Sequence, residues 1–405
     1  MRRKTFFSIG FFGFPNLGDE LLCLRVTRRI RKLYPLSKLY IMTRNSLVSR
    51  DYAGVQANFV EGFWPSPKYF ANFPRHVKAV ADSDLIVIGG GGLISDKYDR
   101  HAFLRHCIDP LIGVLLNKPY VFVGLGVTEL KKRLPVSLAS YMVTWAAEVY
   151  CRDSQSSDRL RRIARRDDIV LGPDLAFLSS LPTCVSGVRD YALINIREDP
   201  PVEVQRLITV CGEMLKHVSR LVFLATERAD VAYFRRILTG FPEDISSKIE
   251  IAHPDNLSDT IQIVVSSKFV VACRLHVNIL TVMSNKPLLA ICYEDKVKQF
   301  VSQIPDGVII CNPEEVDEKC VKHVAEFGEV NHDQHVEQLC QKAQQEFDNV
   351  IFKGLYGRKY SAGTRIEAFI WLAYFMSYGV IYTILAKIKR SLLGKGPVFR
   401  KNKYD

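Results

Sequence analysis

Residues 84–96 read DLIVIGGGGLISD, an apolar run at 85–88 followed at once by four glycines at 89–92. An uninterrupted apolar run between polar ends is the signature of a strand buried on both faces, as in a parallel sheet covered by helices. Glycines at the carboxyl end of such a strand suit a tight turn packing strand on helix. They suit equally a crevice where backbone amides approach a ligand, with Gly90 and Gly91 as the candidates. GLGVTE at 124–129 repeats the device one strand later.

Working outward, strands are expected at 5–9, 38–42, 84–88, 120–124, 149–152 and 169–171, with helical stretches between most of them. LSSLPTCVSG at 178–187 interrupts this rhythm, which restarts at Tyr191 with YALINIR and continues with strands at 221–225, 249–251, 269–273 and 288–292. The alternation predicts an α/β protein of two Rossmann-like domains facing across a cleft, 1–180 and 188–330, with a helical extension over 331–405.

Of 405 residues, 48% are hydrophobic, which excludes a disordered or fibrous chain. The ten cysteines are scattered without a CxxC pair or a grouping with histidine, so they are expected to be reduced, mostly buried thiols, and no metal site is expected. The start, MRRKTFFSIGFFGF, has the charge and apolar run of a signal peptide but no small-residue cleavage site; a first strand and a cytoplasmic compartment are expected.

The net charge of +12 is uneven: eleven Lys and Arg against Glu367 and Asp405 lie within 351–405. The basicity belongs to the tail, and a nucleic-acid groove in the body is not indicated. Within the tail, 368–386 is a stretch of nineteen residues without a charge, flanked by basic residues on both sides. As a helix it would rise about 28 Å, close to a bilayer core. Seven basic residues after it and four before it would place the C-terminus in the cytoplasm and the body outside, in conflict with free thiols and no signal. An in-plane helix with a basic tail on anionic lipid avoids that conflict and predicts a peripheral protein on the inner face of the cell membrane, bound through 366–405. A buried helix or a contact between copies in a homo-oligomer also suits the run.

Four segments carry candidate chemistry. In GFFGFPNLGDELL, 10–22, a strand gives way to a helix without GxGxxG, and Asp19 and Glu20 occupy the positive end of the helix, leaving little reason for a phosphate to bind there. Asn16 and Asp19 suit sugar hydroxyls, or Asp19 is a plain helix cap. CRDSQSSDRL, 151–160, offers Arg152 as an anion ligand or as half of a structural ion pair, with Ser154 or Ser156 as a cap; GPDLAF adds Asp174 at the next strand end. VVACRLHVNIL, 270–280, places Arg274 and His276 at a strand-to-helix turn, suited to a phosphorylated or carboxylated ligand with an acid or base beside it. Tyr293, Glu294 and Lys296 leave the following strand toward the same cleft.

Taken in order, GFPNLGDE, DLIVIGGGGLISD, CRDSQSS, GPDLAF, CRLHVNIL and KPLLAICYEDKVKQF resemble the polysaccharide pyruvyltransferase family over roughly 5–300. The resemblance implies a GT-B-like pair of domains and transfer of pyruvate from phosphoenolpyruvate to a sugar, as a ketal on two hydroxyls of a surface polysaccharide or its lipid-linked precursor. Arg274 and His276 fall on the family's Arg-Leu-His motif, and Arg152 and Asp153 on its Arg-Asp pair. Phosphoenolpyruvate is then the co-substrate, with no further cofactor, held on the second domain, while the first holds the acceptor. His276 is expected to protonate the phosphate or enol, and Asp19 or Asp174 to serve the acceptor hydroxyls. Two rivals stay open: a GT-B-type glycosyltransferase using a nucleotide sugar, and a non-catalytic membrane-associated subunit of polysaccharide assembly. A dinucleotide oxidoreductase is more distant, since GxGxxG is absent.

Overall fold

The computed structural model describes residues 3–392 apart from 15, 63–71, 96–99, 182–188, 200–201, 329 and 358. Asp96, part of the 178–187 interruption and the tail beyond 392 lie outside the described residues. The first sheet holds β1 (Thr5–Ile9), β2 (Lys38–Thr43), β3 (Asn58–Glu61), β4 (Leu85–Ile94), β5 (Tyr120–Val127), β6 (Glu148–Cys151) and β7 (Val170–Leu171), in the order β3-β2-β1-β4-β5-β6-β7. The second holds β8 (Tyr191–Asn195), β9 (Arg220–Leu224), β10 (Ile249–Ala252), β11 (Val270–Ala272), β12 (Leu288–Ile291) and β13 (Val308–Cys311), in the order β10-β9-β8-β11-β12-β13. Every described strand pairing is parallel.

The helices of the first domain are α1 (Leu17–Leu33), α2 (Phe73–Asp82), α3 (Arg100–Leu115), α4 (Arg133–Trp145) and α5 (Ser154–Ala164). The second contributes α6 (Val204–Met214), α7 (Arg228–Leu238), α8 (Glu243–Ser246), α9 (Leu257–Ser266), α10 (Leu275–Met283), α11 (Asp295–Val301) and α12 (Glu318–Ala325), followed by α13 (Asp333–Leu355) and α14 (Ala362–Leu392). This is the α/β architecture of two Rossmann-like, GT-B-like domains. Both sheets reverse strand order beside their first strand, at β1/β4 and β8/β11, and such switch points open crevices at the carboxyl ends of the strands.

Side chains alternate between the two faces of β1: Phe6 joins the core under α1, Phe7 and Ile9 the core under α3. The four glycines do not form a turn after β4; they lie inside it, and the β4–β5 register shifts between Gly91 and Ile94. The edge strands β3 and β13, four residues each, were not among the expected strands. All nine described cysteines are free, and every one but Cys320 is buried.

The helical extension from 331 onward is not a separate layer. α13 crosses back to the first domain and buries Cys340, Ala343, Phe347, Val350 and Ile351 in the same core as Leu85 and Val121. α14 lies on the opposite face, where Ala368 and Phe375 join the core of α3 and β5. Tyr141 donates to the Thr364 carbonyl (2.9 Å) and anchors the start of α14. Among the described residues no helix is long and apolar enough to cross a membrane.

If α13 belongs to this core, Phe347→Ala should cost the first domain about 3–5 kcal/mol. Denaturant unfolding checks it; a loss of less than about 1 kcal/mol would mean that α13 is a loosely attached appendage.

Candidate active site

Asn16 is the N-cap of α1: its Oδ1 accepts from the backbone N–H of Gly18 (2.9 Å) and Asp19 (3.4 Å). The cap expected of Asp19 therefore belongs to Asn16. Its amide Nδ2 donates across the cleft to Glu227 Oε1 (2.6 Å), at the carboxyl end of β9. Glu227 and Asp230 form a reciprocal capping box at the start of α7. Arg274, just after β11, spans both carboxylates, with Nη1 to Glu227 Oε1 and Nη2 to Asp230 Oδ1, each 2.7 Å. Asn16, committed to a cap and to Glu227, has little left for a sugar hydroxyl. Glu227 and Asp230 escaped the sequence reading, although ERAD directly after the apolar run at 221–225 has reciprocal-cap spacing.

His276, in the first turn of α10, packs against the first turn of α1. A Cβ on Gly18 would lie 2.1 Å from His276 Nδ1, so the glycine of NLGD is set by a side chain of the other domain. His276 Nε2 is 3.6 Å from Asp174 Oδ1, an ion-pair separation too long for a hydrogen bond. Asp174 also accepts from the Ala176 N–H (2.9 Å) and from Arg152 Nη1 (2.9 Å). Burial alone would push its pKa up; His276, Arg152 and the Ala176 N–H outweigh that and hold it well below the usual carboxylate range. Arg152 is thus half of a buried ion pair. Next to it Asp153 caps α5 by accepting from the Ser156 N–H (2.7 Å), while the Ser156 hydroxyl, one of two expected caps, instead accepts from the Val127 N–H (2.8 Å).

Asp19 is half-buried on the cleft wall, and Gly91, at φ +95°, passes close enough for a Cβ there to sit 3.5 Å from its Oδ1. Gly90 faces Leu22 instead. Loss of water and the Glu227 carboxylate raise the Asp19 pKa from 3.8 to about 7, against the pull of Lys296, Arg152 and Arg274. Glu20 is fully buried and accepts from the Gly13 N–H (2.6 Å); burial raises its pKa to about 8.

The cations differ in their surroundings. Burial lowers Arg274's pKa, but Asp230 and Glu227 raise it by more, so its field is negative. Lys296, ion-paired with Glu294 (2.5 Å), is pushed down by burial and by Arg152 and Arg197. Arg152 of the first domain, paired with Asp174, and Lys296 of the second line one cavity of about 330 Å³ together with Asp153 and Asp174. Tyr293 turns away from it, accepting from Arg197 (3.2 Å) and lining a separate cavity with Arg206 and Asn312. Among the described residues no three His, Cys, Asp or Glu side chains converge on a metal-sized site.

Gly18→Ala should leave α1 helical, since alanine favours a helix, but drive His276 away and part the domains. Small-angle scattering should show a larger radius of gyration than wild type; an unchanged curve would mean that the close approach does not hold in solution.

No curated relative matches the chain. Similar solved structures include the UDP-GlcNAc 2-epimerase of Methanocaldococcus jannaschii (TM-score 0.59, 8% identity, 86% of this chain and 99% of that one). The UDP-GlcNAc 2-epimerase of Neisseria meningitidis bound to UDP-GlcNAc is another (TM-score 0.55, 11% identity, 86% and 100%). A glycosyltransferase of Rickettsia africae has a TM-score of 0.52 at 12% identity over 98% and 100%. At these identities the likeness is one of fold. The family model of polysaccharide pyruvyl transferase matches residues 16–295, a span that runs from the Asn16 cap to the turn after Tyr293 and encloses Arg152, Asp174, Arg274 and His276. The chain belongs to the polysaccharide pyruvyl transferase family.

Proposed function

We propose that the protein transfers pyruvate from phosphoenolpyruvate to two hydroxyls of a sugar, in a surface polysaccharide or its lipid-linked precursor. The observation that carries this reading is the convergence of Arg152 and Lys296 from opposite domains on one cavity, with Asp174 beside them and His276 3.6 Å from Asp174; all but Lys296, one residue past its end, lie inside the span that matches the family. A carboxylate and a phosphate on three carbons need two cationic anchors and a nearby proton donor. In this reading the anchors are Arg152 and Lys296. Arg274, bonded to Glu227 and Asp230 and not among the residues lining that cavity, positions Glu227 and the α10 turn.

The chemistry needs one acid and one base. A proton delivered by His276 to C3 makes the methyl group and leaves a cationic C2. One sugar hydroxyl adds to C2 as its proton passes to a base. Phosphate then departs with the C–O electron pair, leaving C2 cationic again, and the second hydroxyl closes the ketal as its proton passes to His276, which had given its own to C3. Asp174, held ionised by its partners, is a weak base whose charge faces the His276 ring at 3.6 Å. Asp19, with a pKa of about 7, is matched to proton transfer at neutral pH and takes the hydroxyl proton. The runner-up, a glycosyltransferase using a nucleotide sugar, draws on fold likeness to proteins that bind UDP-sugars.

The base must be unprotonated to act, so kcat/KM should rise with pH through about 7 as Asp19 ionises. Asp19→Asn should lose roughly 100-fold or more in rate and lack that limb. Phosphate release from phosphoenolpyruvate, with depyruvylated glycan of the source cell as acceptor, measures both. An Asp19→Asn enzyme that keeps the rise would remove Asp19 from the mechanism.

We further propose that the free face of α14 rests on an anionic membrane surface. Ile366, Phe369, Ile370 and Tyr374 are 60%, 62%, 60% and 43% exposed on one side of the helix, and seven Lys and Arg follow within 387–403. Vesicles containing phosphatidylglycerol should sediment the protein and neutral phosphatidylcholine vesicles should not. The Ile366→Ser/Phe369→Ser/Ile370→Ser variant should stay in solution; sedimentation equal to wild type would refute the contact.

A further inference from the structure

The cavity at Arg152 and Lys296 is larger and more apolar than a three-carbon phosphate ester requires, and at about 330 Å³ it falls in the range of small-ligand pockets. Two helix faces close it. α11 presents Lys296, Gln299 and Phe300, spaced as one face of a helix, with Gln303 just beyond its end, and α13 presents His335, Leu339 and Lys342 in the same way. Leu275 and Ile279 of α10 add an apolar wall. Among the described residues, Gln299 Oε1 and His335 Nε2 are buried without a hydrogen-bond partner. Buried polar atoms normally have partners, so two orphans on one cavity point to a ligand that supplies them.

We infer that this cavity is the acceptor subsite, holding a hexose ring with its apolar C–H face on Phe300 and Leu339 and its hydroxyls on Gln299 and His335; the inference rests on the pyruvyl-transfer reading above. A pyranose combines an apolar face with a rim of donors and acceptors, which is the mixture this lining offers and which phosphoenolpyruvate does not need. Asp174 and Arg152 line the same cavity, so the occupant's near hydroxyls adjoin the anion site. The ring thus lies between the first domain and α11–α13, with its reacting hydroxyls toward Arg152 and Lys296, whose charges reach Asp19, while the Asn16 amide is already spent on a cap and on Glu227.

Saturation-transfer NMR with methyl glycosides of glucose, galactose, mannose and N-acetylglucosamine, in the presence of phosphoenolpyruvate, tests this on the full chain. Leu339→Trp fills the cavity and Gln299→Leu removes one polar contact while keeping its size. At least one glycoside should give a signal with wild type that falls about tenfold or more in Leu339→Trp and weakens in Gln299→Leu, while calorimetric binding of phosphoenolpyruvate stays unchanged in both. Equal glycoside signals in wild type and both variants, or no signal with wild type that still binds phosphoenolpyruvate, would overturn the subsite alone. Loss of phosphoenolpyruvate binding in both variants would assign the cavity to the donor and overturn it likewise. Absence of phosphoenolpyruvate binding by wild type would instead overturn the reading beneath it.

Discussion

Glu227 takes hydrogen bonds from both domains at once, from the Asn16 amide at 2.6 Å and the Arg274 guanidinium at 2.7 Å, and the geometry of the cleft follows from that shared carboxylate. Apolar contact between α1 and helices α9 and α10 holds the domains together but is tolerant of sliding. Directional charge-assisted bonds are not, and stripping a partner from a buried ion pair costs about 3–5 kcal/mol. With Glu227 fixed, His276 meets Gly18, Asp174 meets His276, and Arg152 meets Asp174. The same carboxylate adds to the burial that raises the Asp19 pKa to about 7.

The cations then divide into two kinds. Arg274 is held between Glu227 and Asp230 and acts as a brace, whereas Arg152 and Lys296, each with its own carboxylate, line one cavity from opposite domains. Counting arginines at strand ends does not separate these roles, because the carboxylates that decide the matter come from elsewhere in the chain.

Much of this was legible in the sequence. The alternation of apolar runs and helical stretches marked ten of the thirteen strands with a range and an eleventh by its YALINIR start, because parallel strands buried on both faces read as continuous apolar runs. Arg152, Asp174 and His276 were visible because strand ends in such sheets carry ligands. Of the two readings of the glycines, the turn does not hold; they lie within β4 and β5 and let these strands pass close to Val123, Asp19, Leu175 and Arg152. The role of Gly18 depends on His276, 258 positions away, and that of α13 on Leu85 and Val121; no local pattern encodes either. The apolar run of α14 mixed two signals, since Ala368 and Phe375 face the core and Phe369 and Ile370 face outward.

The family constrains the reaction class, while the fold is shared with enzymes whose structures hold UDP-sugars. Calorimetric titration of the full chain with phosphoenolpyruvate and with UDP-GlcNAc compares the two directly. The account predicts saturable, salt-sensitive binding of phosphoenolpyruvate that is lost when Arg152 and Lys296 are both neutralised, with no comparable uptake of UDP-GlcNAc. Binding of UDP-GlcNAc without binding of phosphoenolpyruvate would contradict it.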